Sequence, residues 1–479
     1  MQRITVFMLT TLALLGGCKV GPDYQKPALN VSDHFIASSK RTDTLAAIEQ
    51  DWWRHFNDPI LDDLIARALA GNFDIKIASA HLAEARAMRA SARSDLNPTV
   101  NVTGSAVREA NQFAFGNVPF DISKPFNNFQ AGFDASWELD LFGGKRRTLE
   151  SATAELGGAE AARDEIRVST LAEVARIYVD IRHYQAQFAL AQEVVASQRH
   201  TLAIVKERFA VGETAGLTVT EAQVQLAQSE AQLPYYQDLL KERDYEMDVL
   251  LGQQPGATLT LLATVKPIPI EDGKWVLAVP AEVIANRPDI YMAEHKLAAA
   301  TADQGVATAQ LFPDISLSGF LGLLNTDAGT LLMANSKSWA LGGNILWPIL
   351  NYGKISAGIS MADARQQQAL LQYQKAVIAA LSDVERAATA LTEEEAQRAL
   401  LAKTVDDNRH GIDIAQTRYK QGLSSFAEVL EAERVLYASQ SKLAEANAMA
   451  AQNLIAVYKS LGGSWSGAPA SITAPAKPS

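Results

Sequence analysis

The sequence predicts a mainly α-helical chain that carries a transmembrane β-barrel, built by internal duplication of a helix-strand-strand-helix-helix plan. Three observations lead there. A shift of 210 residues superimposes Arg208-Phe209-x-x-Gly212 on Arg418-Tyr419-x-x-Gly422, Glu221-Ala222 on Glu431-Ala432, Leu251-Gly252 on Leu461-Gly462 and Trp137 on Trp347; such a period governs how every element is read. Four segments alternate apolar and polar residues at period two, as strands with one greasy and one wet face do. Long stretches repeat apolar residues every seven positions, which winds helices left-handedly around neighbours.

Composition sets the limits. The 479 residues include 43 Lys+Arg against 54 Asp+Glu, a formal charge of −11, which argues against a nucleic-acid partner. Hydrophobic residues make up 48% of the chain, so wholesale disorder is excluded. Seven histidines show no HExxH or paired spacing, and one cysteine, Cys18, leaves no disulfide framework or Cys-based metal cluster. Residues 1–17 read as an export signal: Arg3 supplies the charge, and Val6 to Leu15 is an apolar run too short to span a bilayer. Leu15-Gly16-Gly17-Cys18 resembles the bacterial lipobox, after which the cysteine is acylated (palmitate is the expected lipid) and becomes the N-terminus. Several acyl chains anchor stably where one is marginal. Lys19, standing where Asp would signal inner-membrane retention, points by the same resemblance to the outer membrane.

Residues 18–50, with Gly21-Pro22 and Pro27, form an extended lead from the anchor. The first copy occupies 51–254 and the second 281–461, joined by a proline-rich equatorial segment, 255–280. Each opens with an Ala-rich helix (Asp74 to Asp95, Asp289 to Gln310) that a proline three residues on brings to an end. A shift of 215 relates these parts, placing Leu96-Asn97-Pro98 on Leu311-Phe312-Pro313. Strands follow at 99–107 and 128–140, and again at 314–323 and 339–349. Phe129, Ala131, Phe133, Ala135, Trp137 and Leu139 face one way, against Gln130, Gly132, Asp134, Ser136, Glu138 and Asp140.

Then come the long helical pairs, 145–251 and 354–461. Val174, Ile181, Phe188, Val195, Leu202 and Phe209 recur every seven residues, and Val384, Leu391, Val405, Ile412 and Tyr419 repeat the series with a break at Arg398. After each glycine turn a second series descends: Val219, Leu226, Leu233, Leu240, Met247, and Val429, Leu436, Leu443, Ala450, Val457. Pro234 lies inside one descending helix, where the copy has Ala444, so a local kink is expected. The tail, 462–479, is rich in Gly, Ser, Ala and Pro and reads as disordered.

No stretch after the signal is long and apolar enough for a membrane helix. Amphipathic strands near ten residues long in an exported, lipid-anchored chain therefore suggest a barrel. Four strands cannot enclose a pore, so several chains have to contribute.

Cys18-Lys19-Val20-Gly21-Pro22-Asp23-Tyr24 with Pro27, then Trp52-Trp53-x-x-Phe56-x-Asp58-Pro59-x-Leu61, then the duplicated plan, together resemble the TolC-like outer membrane factors, most closely their lipoprotein branch of NodT or OprM type. The resemblance spans essentially the whole mature chain. It implies a homotrimer whose three sets of four strands make a twelve-stranded barrel, continuing into a coiled-coil helical tunnel across the periplasm. A periplasmic adaptor protein and an inner-membrane RND transporter dock at the far end. The implied function is the outer-membrane exit duct of a tripartite efflux pump, exporting small toxic compounds or drugs passively, with no catalysis and no cofactor beyond the lipid on Cys18. The implied adaptor-contact tip is Arg208, Phe209, Gly212 and Leu217 in one copy and Arg418, Tyr419, Gly422, Leu423 and Ser424 in the other. Glycine suits both turns because a sharp reversal after a helix commonly takes a left-handed backbone. The implied periplasmic gate is Glu428 and Glu431, three apart on one helix face, where the family often carries Asp. Rings of carboxylates favour cations. Arg434 pairs with Glu431 or with a neighbouring chain to hold the tip shut.

Two other readings stand beside this one: the exit duct of a type I protein secretion system, and a non-channel envelope scaffold. An enzyme has little support, since no nucleophile elbow or metal spacing appears, and Leu341-Gly342-Gly343-Asn344 falls in a strand without the Lys-Ser/Thr of a phosphate loop. Lys145-Arg146-Arg147 reads as a solvated or headgroup-facing cluster.

Overall fold

A computed structural model describes residues 19–29, 31–36, 51–110, 125–270, 280–463 and 465; the signal 1–17 and Cys18 lie outside them. Helices α1 (Pro59–Gly71) and α2 (Phe73–Ser94) precede strands β1 (Thr99–Glu109) and β2 (Phe126–Leu139). The first long pair is α3 (Gly144–Ala210), then α4 (Gly216–Glu230) and α5 (Gln232–Leu250). Short helices α6 (Leu259–Leu262) and α7 (Pro280–Asn286) lead to α8 (Pro288–Ala309), β3 (Asp314–Asn325) and β4 (Lys337–Leu346). The second long pair is α9 (Tyr352–Lys420) and α10 (Phe426–Ser460). The 67 residues of α3 and 69 of α9 are each about 100 Å of helix at 1.5 Å per residue. Among the described residues no helix is long and apolar enough to cross a membrane.

Three details differ from the sequence reading. At Pro234 the expected kink takes the form of a one-residue interruption: α4 ends at Glu230 and α5 begins at Gln232, while Ala231 between them keeps helical angles (φ −65°, ψ −20°) and its N–H on the Ala227 carbonyl at 3.1 Å. Its counterpart α10, with Ala444 there, is unbroken. Strand β4 stops at Leu346 rather than 349, because Pro348 cannot join a ladder and the chain turns into a 3-10 turn at Ile349–Asn351. The tail begins ordered: Gly462 and Gly463 are buried, and the Trp465 indole N–H donates to Asp164 at 3.2 Å.

The chain divides into two compact units. One contains the sheet, made from the N-terminal stretch to Pro27, His81–Ala159 and Ala293–Tyr373. Its strands lie in the order β1-β2-β3-β4, all antiparallel, so β2–β3 joins the two copies while β1 and β4 are edges. The register keeps one apolar face across all four strands. Val102 pairs with Phe133, Phe133 with Leu321, and Leu321 with Trp339. Most of this face is exposed in the single chain, Val102 by 79% and Trp339 by 77%. Trp339 and Trp347 stand eight positions apart, about 26 Å of extended chain. Even tilted, that covers most of a lipid-facing band ~25 Å tall.

The duplication holds at the level of single hydrogen bonds. The Trp137 indole N–H donates to the Leu96 carbonyl at 3.0 Å, and Trp347 donates to Leu311 at 3.2 Å. Thr99 pairs with Ser136 as Asp314 pairs with Leu346, so shifts of 215 for the first strand and 210 for the second carry one hairpin onto the other.

The other unit holds the main core. Trp52, Trp53 and Phe56, on a 3-10 turn, pack with Leu61, Leu64 and Ile65 of α1 against Leu171, Val174, Tyr178 and Ile181 of α3 and Val384 and Leu391 of α9. Asp58 caps α1, accepting from the Ile60 N–H at 3.0 Å, and also receives the Tyr178 hydroxyl and Lys266. Asp248 is fully buried and pins the next loop, accepting from the N–H groups of Gly256 (2.6 Å) and Thr258 (3.0 Å). One turn earlier, Asp244 is buried and its Oδ1 has no hydrogen-bond partner among the described residues. Burial first, and then the Asp248 charge, push its carboxyl up to about 6 against the pull of Arg182.

A carboxyl raised in the folded state lends stability fully below its unfolded value near 4 and loses it as pH rises through 6. Asp244→Asn is therefore expected to stabilise at pH 7.5, on the order of 3 kcal/mol, and to be neutral at pH 4. Apparent melting temperatures at both pH values check this; an equal shift at each would assign the effect to packing.

Candidate functional site

The two helix-helix turns are built alike. Helix α3 ends before Gly212, whose φ is +77°, with the Glu213 N–H donating to the Arg208 carbonyl at 2.8 Å. Helix α9 ends before Gly422, φ +73°, with the Leu423 N–H on the Arg418 carbonyl at 2.9 Å. Nothing lies within 4 Å of where a Cβ would stand at either position. Backbone conformation, not space, therefore calls for glycine.

Of the tip residues, the structure brings Arg208 and Tyr419 together, the guanidinium 5.3 Å from the ring centre, a cation-π distance that joins the two turns. Tyr419 also meets Phe426 at 5.2 Å. Phe209, Leu217 and Leu423 are exposed large apolar side chains. The Ser424 hydroxyl is buried with no hydrogen-bond partner among the described residues.

Glu428, Glu431, Asn408 and Gly411 line one shallow cavity of about 330 Å³, together with Ala432 and Val435. The two carboxylates do different things. Glu428 belongs to the helix start: with Ser425 it forms a capping box, its Oε1 accepting from the Ser425 N–H at 3.3 Å. Ser425-x-x-Glu428 carries this signal in the sequence, and the gate reading passed over it. Glu431 is held by Arg434 of its own helix, one turn on, with Nε donating to Oε2 at 2.8 Å. That bond keeps its carboxyl below the usual range.

The chain just after Cys18 forms a strap. The Val20 N–H donates to the Phe142 carbonyl at 3.1 Å. Lys19 reaches Glu150 at 2.7 Å and Asp23 at 3.3 Å. Tyr24 and Lys26 both donate to Glu294, at 3.2 and 2.7 Å. The centre of the strap is Arg147, which sequence reasoning placed in a solvated or headgroup-facing cluster. It is fully buried, donating to the carbonyls of Val20 (3.0 Å) and Gly21 (2.9 Å) and pairing with Asp23 and Glu150. Its neighbours are also engaged, Lys145 with Glu138 and Arg146 with Asp140, each at 3.0 Å. A basic run directly after a strand pairs with whatever the fold brings to it, and the strap lies more than a hundred residues away in sequence.

Comparison with known proteins places this arrangement. The family model described as Outer membrane efflux protein matches residues 64–253 and 279–463, one match per copy. The pyoverdine export outer membrane protein OpmQ of Pseudomonas aeruginosa is 30% identical, over 97% of this chain and 98% of its own. The probable efflux pump outer membrane protein TtgC of Pseudomonas putida is 29% identical, over 97% and 96%. The solved structure of the outer-membrane channel OprN is similar with a TM-score of 0.87 at 31% identity, covering 93% of this chain and 99% of that one. With both copies matched and the four-stranded sheet and paired long helices in place, the chain belongs to the outer membrane efflux protein family and is an outer membrane factor of RND efflux systems.

Proposed function

We propose that three copies of this chain share one twelve-stranded barrel and form the outer-membrane exit duct of a tripartite efflux pump, through which small toxic compounds leave passively. The sheet carries the reading. Its apolar face runs unbroken across four strands, and its edges β1 and β4 offer unpaired backbone groups that need a partner. The roles for which OpmQ and TtgC are named, pyoverdine export and efflux pumping, support small molecules as the substrate class.

A periplasmic adaptor docks on the two glycine turns, where the exposed Phe209, Leu217 and Leu423 favour an apolar contact, and an inner-membrane RND transporter supplies the energy. Cys18 carries the lipid; the strap supports this by holding Lys19 and Val20 beside Phe142, three residues past the end of β2. Glu431 lines the gate, with Glu428 beside it and Arg434 orienting the carboxylate rather than locking it, because an exposed pair within one helix is weak.

Conductance in planar bilayers tests the whole. The purified protein is expected to conduct with cation preference. Glu431→Ala should lower that preference roughly twofold, and Arg434→Ala should raise it, since a ring of carboxylates selects cations. If neither variant nor the parent conducts, the duct gives way to the scaffold.

A further inference from the structure

The face of the sheet opposite Val102, Phe133, Leu321 and Trp339 becomes the lumen wall once the barrel closes. On β3 this face runs Ser316, Ser318 and then Phe320, a ring where the alternation calls for a polar side chain. The register partner of Phe320 on β2 is Asp134, so both side chains leave the same face with Cβ atoms about 4.5–5.5 Å apart. We infer that Phe320 and Asp134 form a binding site on the lumen wall for aromatic organic cations passing outward. The inference rests on the barrel and duct proposed above, and it names one class among the small molecules they carry.

The ring has a seat. Beside it on the same face lies the cross-strand pair Gly132 and Gly322. A Cβ at Gly132 would stand 2.6 Å from the Leu321 carbonyl oxygen and 2.8 Å from the Phe320 ring. One at Gly322 would stand 2.7 Å from the same ring. Bare backbone is therefore the floor under one edge of the ring, an arrangement by which aromatic side chains shield glycines in sheets. That floor holds the ring in place and still leaves Phe320 half-buried, with the rest of the ring open on the lumen side.

Asp134 is fixed as well, because the Thr103 hydroxyl of β1 donates to its carboxylate. Among the described residues no basic side chain pairs with Asp134, whereas Glu138, further along the same face, is matched by Lys145. The charge of Asp134 is thus left for something that enters the lumen. An aromatic face attracts a cation through its quadrupole, and a flat apolar body covers ring surface that water otherwise wets. The pair rewards both properties in one molecule. An inorganic or aliphatic cation gains from Asp134 alone, a neutral aromatic from Phe320 alone, and an anion is repelled. Both groups stay in contact with water, so each gain is small and the ligand is released again, as conduction requires.

Current block of the full-length protein in planar bilayers tests the site. Ethidium serves as the aromatic cation and tetraethylammonium as the aliphatic one, each added on the side to which the barrel opens. In the parent, ethidium should halve the current at a lower concentration than tetraethylammonium does. Phe320→Leu is expected to raise the ethidium half-block concentration roughly two- to fivefold and to leave that of tetraethylammonium where it was. Asp134→Asn should raise both by a similar factor, about fivefold. Phe320→Tyr keeps a ring and should keep the ethidium value. Light scattering in detergent shows whether each variant assembles to the mass of the parent; if Phe320→Leu does not, Phe320→Met takes its place. An ethidium value unchanged by loss of the ring, as expected if the ring only shields the glycines, overturns the site while the duct stands. Equal shifts for both cations in Phe320→Leu overturn it too. A parent that passes no current overturns the duct, and the wall site with it.

Discussion

Gly462→Ala is expected to lose roughly 2–5 kcal/mol, summing the left-handed backbone cost and the cost of overpacking. Gly462 has φ +102°, and an added Cβ would stand 2.1 Å from the Asn286 carbonyl oxygen. The contact closes α10: the Gly463 N–H donates to the Tyr458 carbonyl at 2.9 Å, and Arg287 holds the Ser460 carbonyl at 2.8 Å. Moving Asn286 away to admit a methyl group would therefore pull Arg287 off the helix end. The first copy repeats the arrangement with other side chains. Gly252 lies against the Gly71 carbonyl, and Asn72 reaches the Leu250 carbonyl at 2.8 Å. Gly422→Ala is the control, since its φ is +73° with open space around it, so it should lose only about 1 kcal/mol. Apparent melting temperatures in one detergent compare the two; equal losses would mean that close approach contributes nothing.

The second large effect is expected from Arg147→Met. Methionine retains much of the aliphatic length but leaves the Val20 and Gly21 carbonyls and two carboxylates without their buried partner. Breaking a buried pair from one side typically costs about 3–5 kcal/mol. Lys19, which also reaches Asp23 and Glu150, should hold the loss to the lower half of that range. The loss is local to the strap. Residues 19–26 are expected to gain fast amide exchange and protease sensitivity while the long helices keep theirs. Arg147→Lys should fail nearly as badly, because an ammonium cannot span two carbonyls and two carboxylates in the planar fork of a guanidinium. A strap that stays protected in Arg147→Met would show that the Tyr24 and Lys26 bonds to Glu294 suffice.

What could be read from the residues follows from the range of the interactions. Strand faces and helix seams are periodic, so Phe133, Trp137, Val174 and Val384 declared their positions in runs that local pattern detects. Repetition in sequence declared the two turns at Gly212 and Gly422. Partners without period stayed hidden. Arg147 meets Val20 and Gly21 across some 126 residues, and a run of three basic residues looks the same whether water or carbonyls receive it. Asn72 and Arg287 do one job in the two copies with different chemistry, so the duplication itself concealed them. Glu428 was seen as one of a pair, and its local bond to Ser425 competes with that role. At the tip, residues from both copies converge in Arg208 over Tyr419. The sequence placed both in the tip without predicting that contact.

The strap has a bearing on the order of folding. It is made first but docks last, because it closes on parts of both copies: Arg147 and Glu150 from the first, and Glu294 and Gly305, against which Gly21 lies, from the second. A contact spanning about 270 residues cannot form until the second copy has been synthesised and exported, and loops of that length close late. Until then Tyr24 and Lys26 lack Glu294, and the strap behind Cys18 is incomplete. Enzymes that act on an extended N-terminus have that interval to work in, and docking ends it.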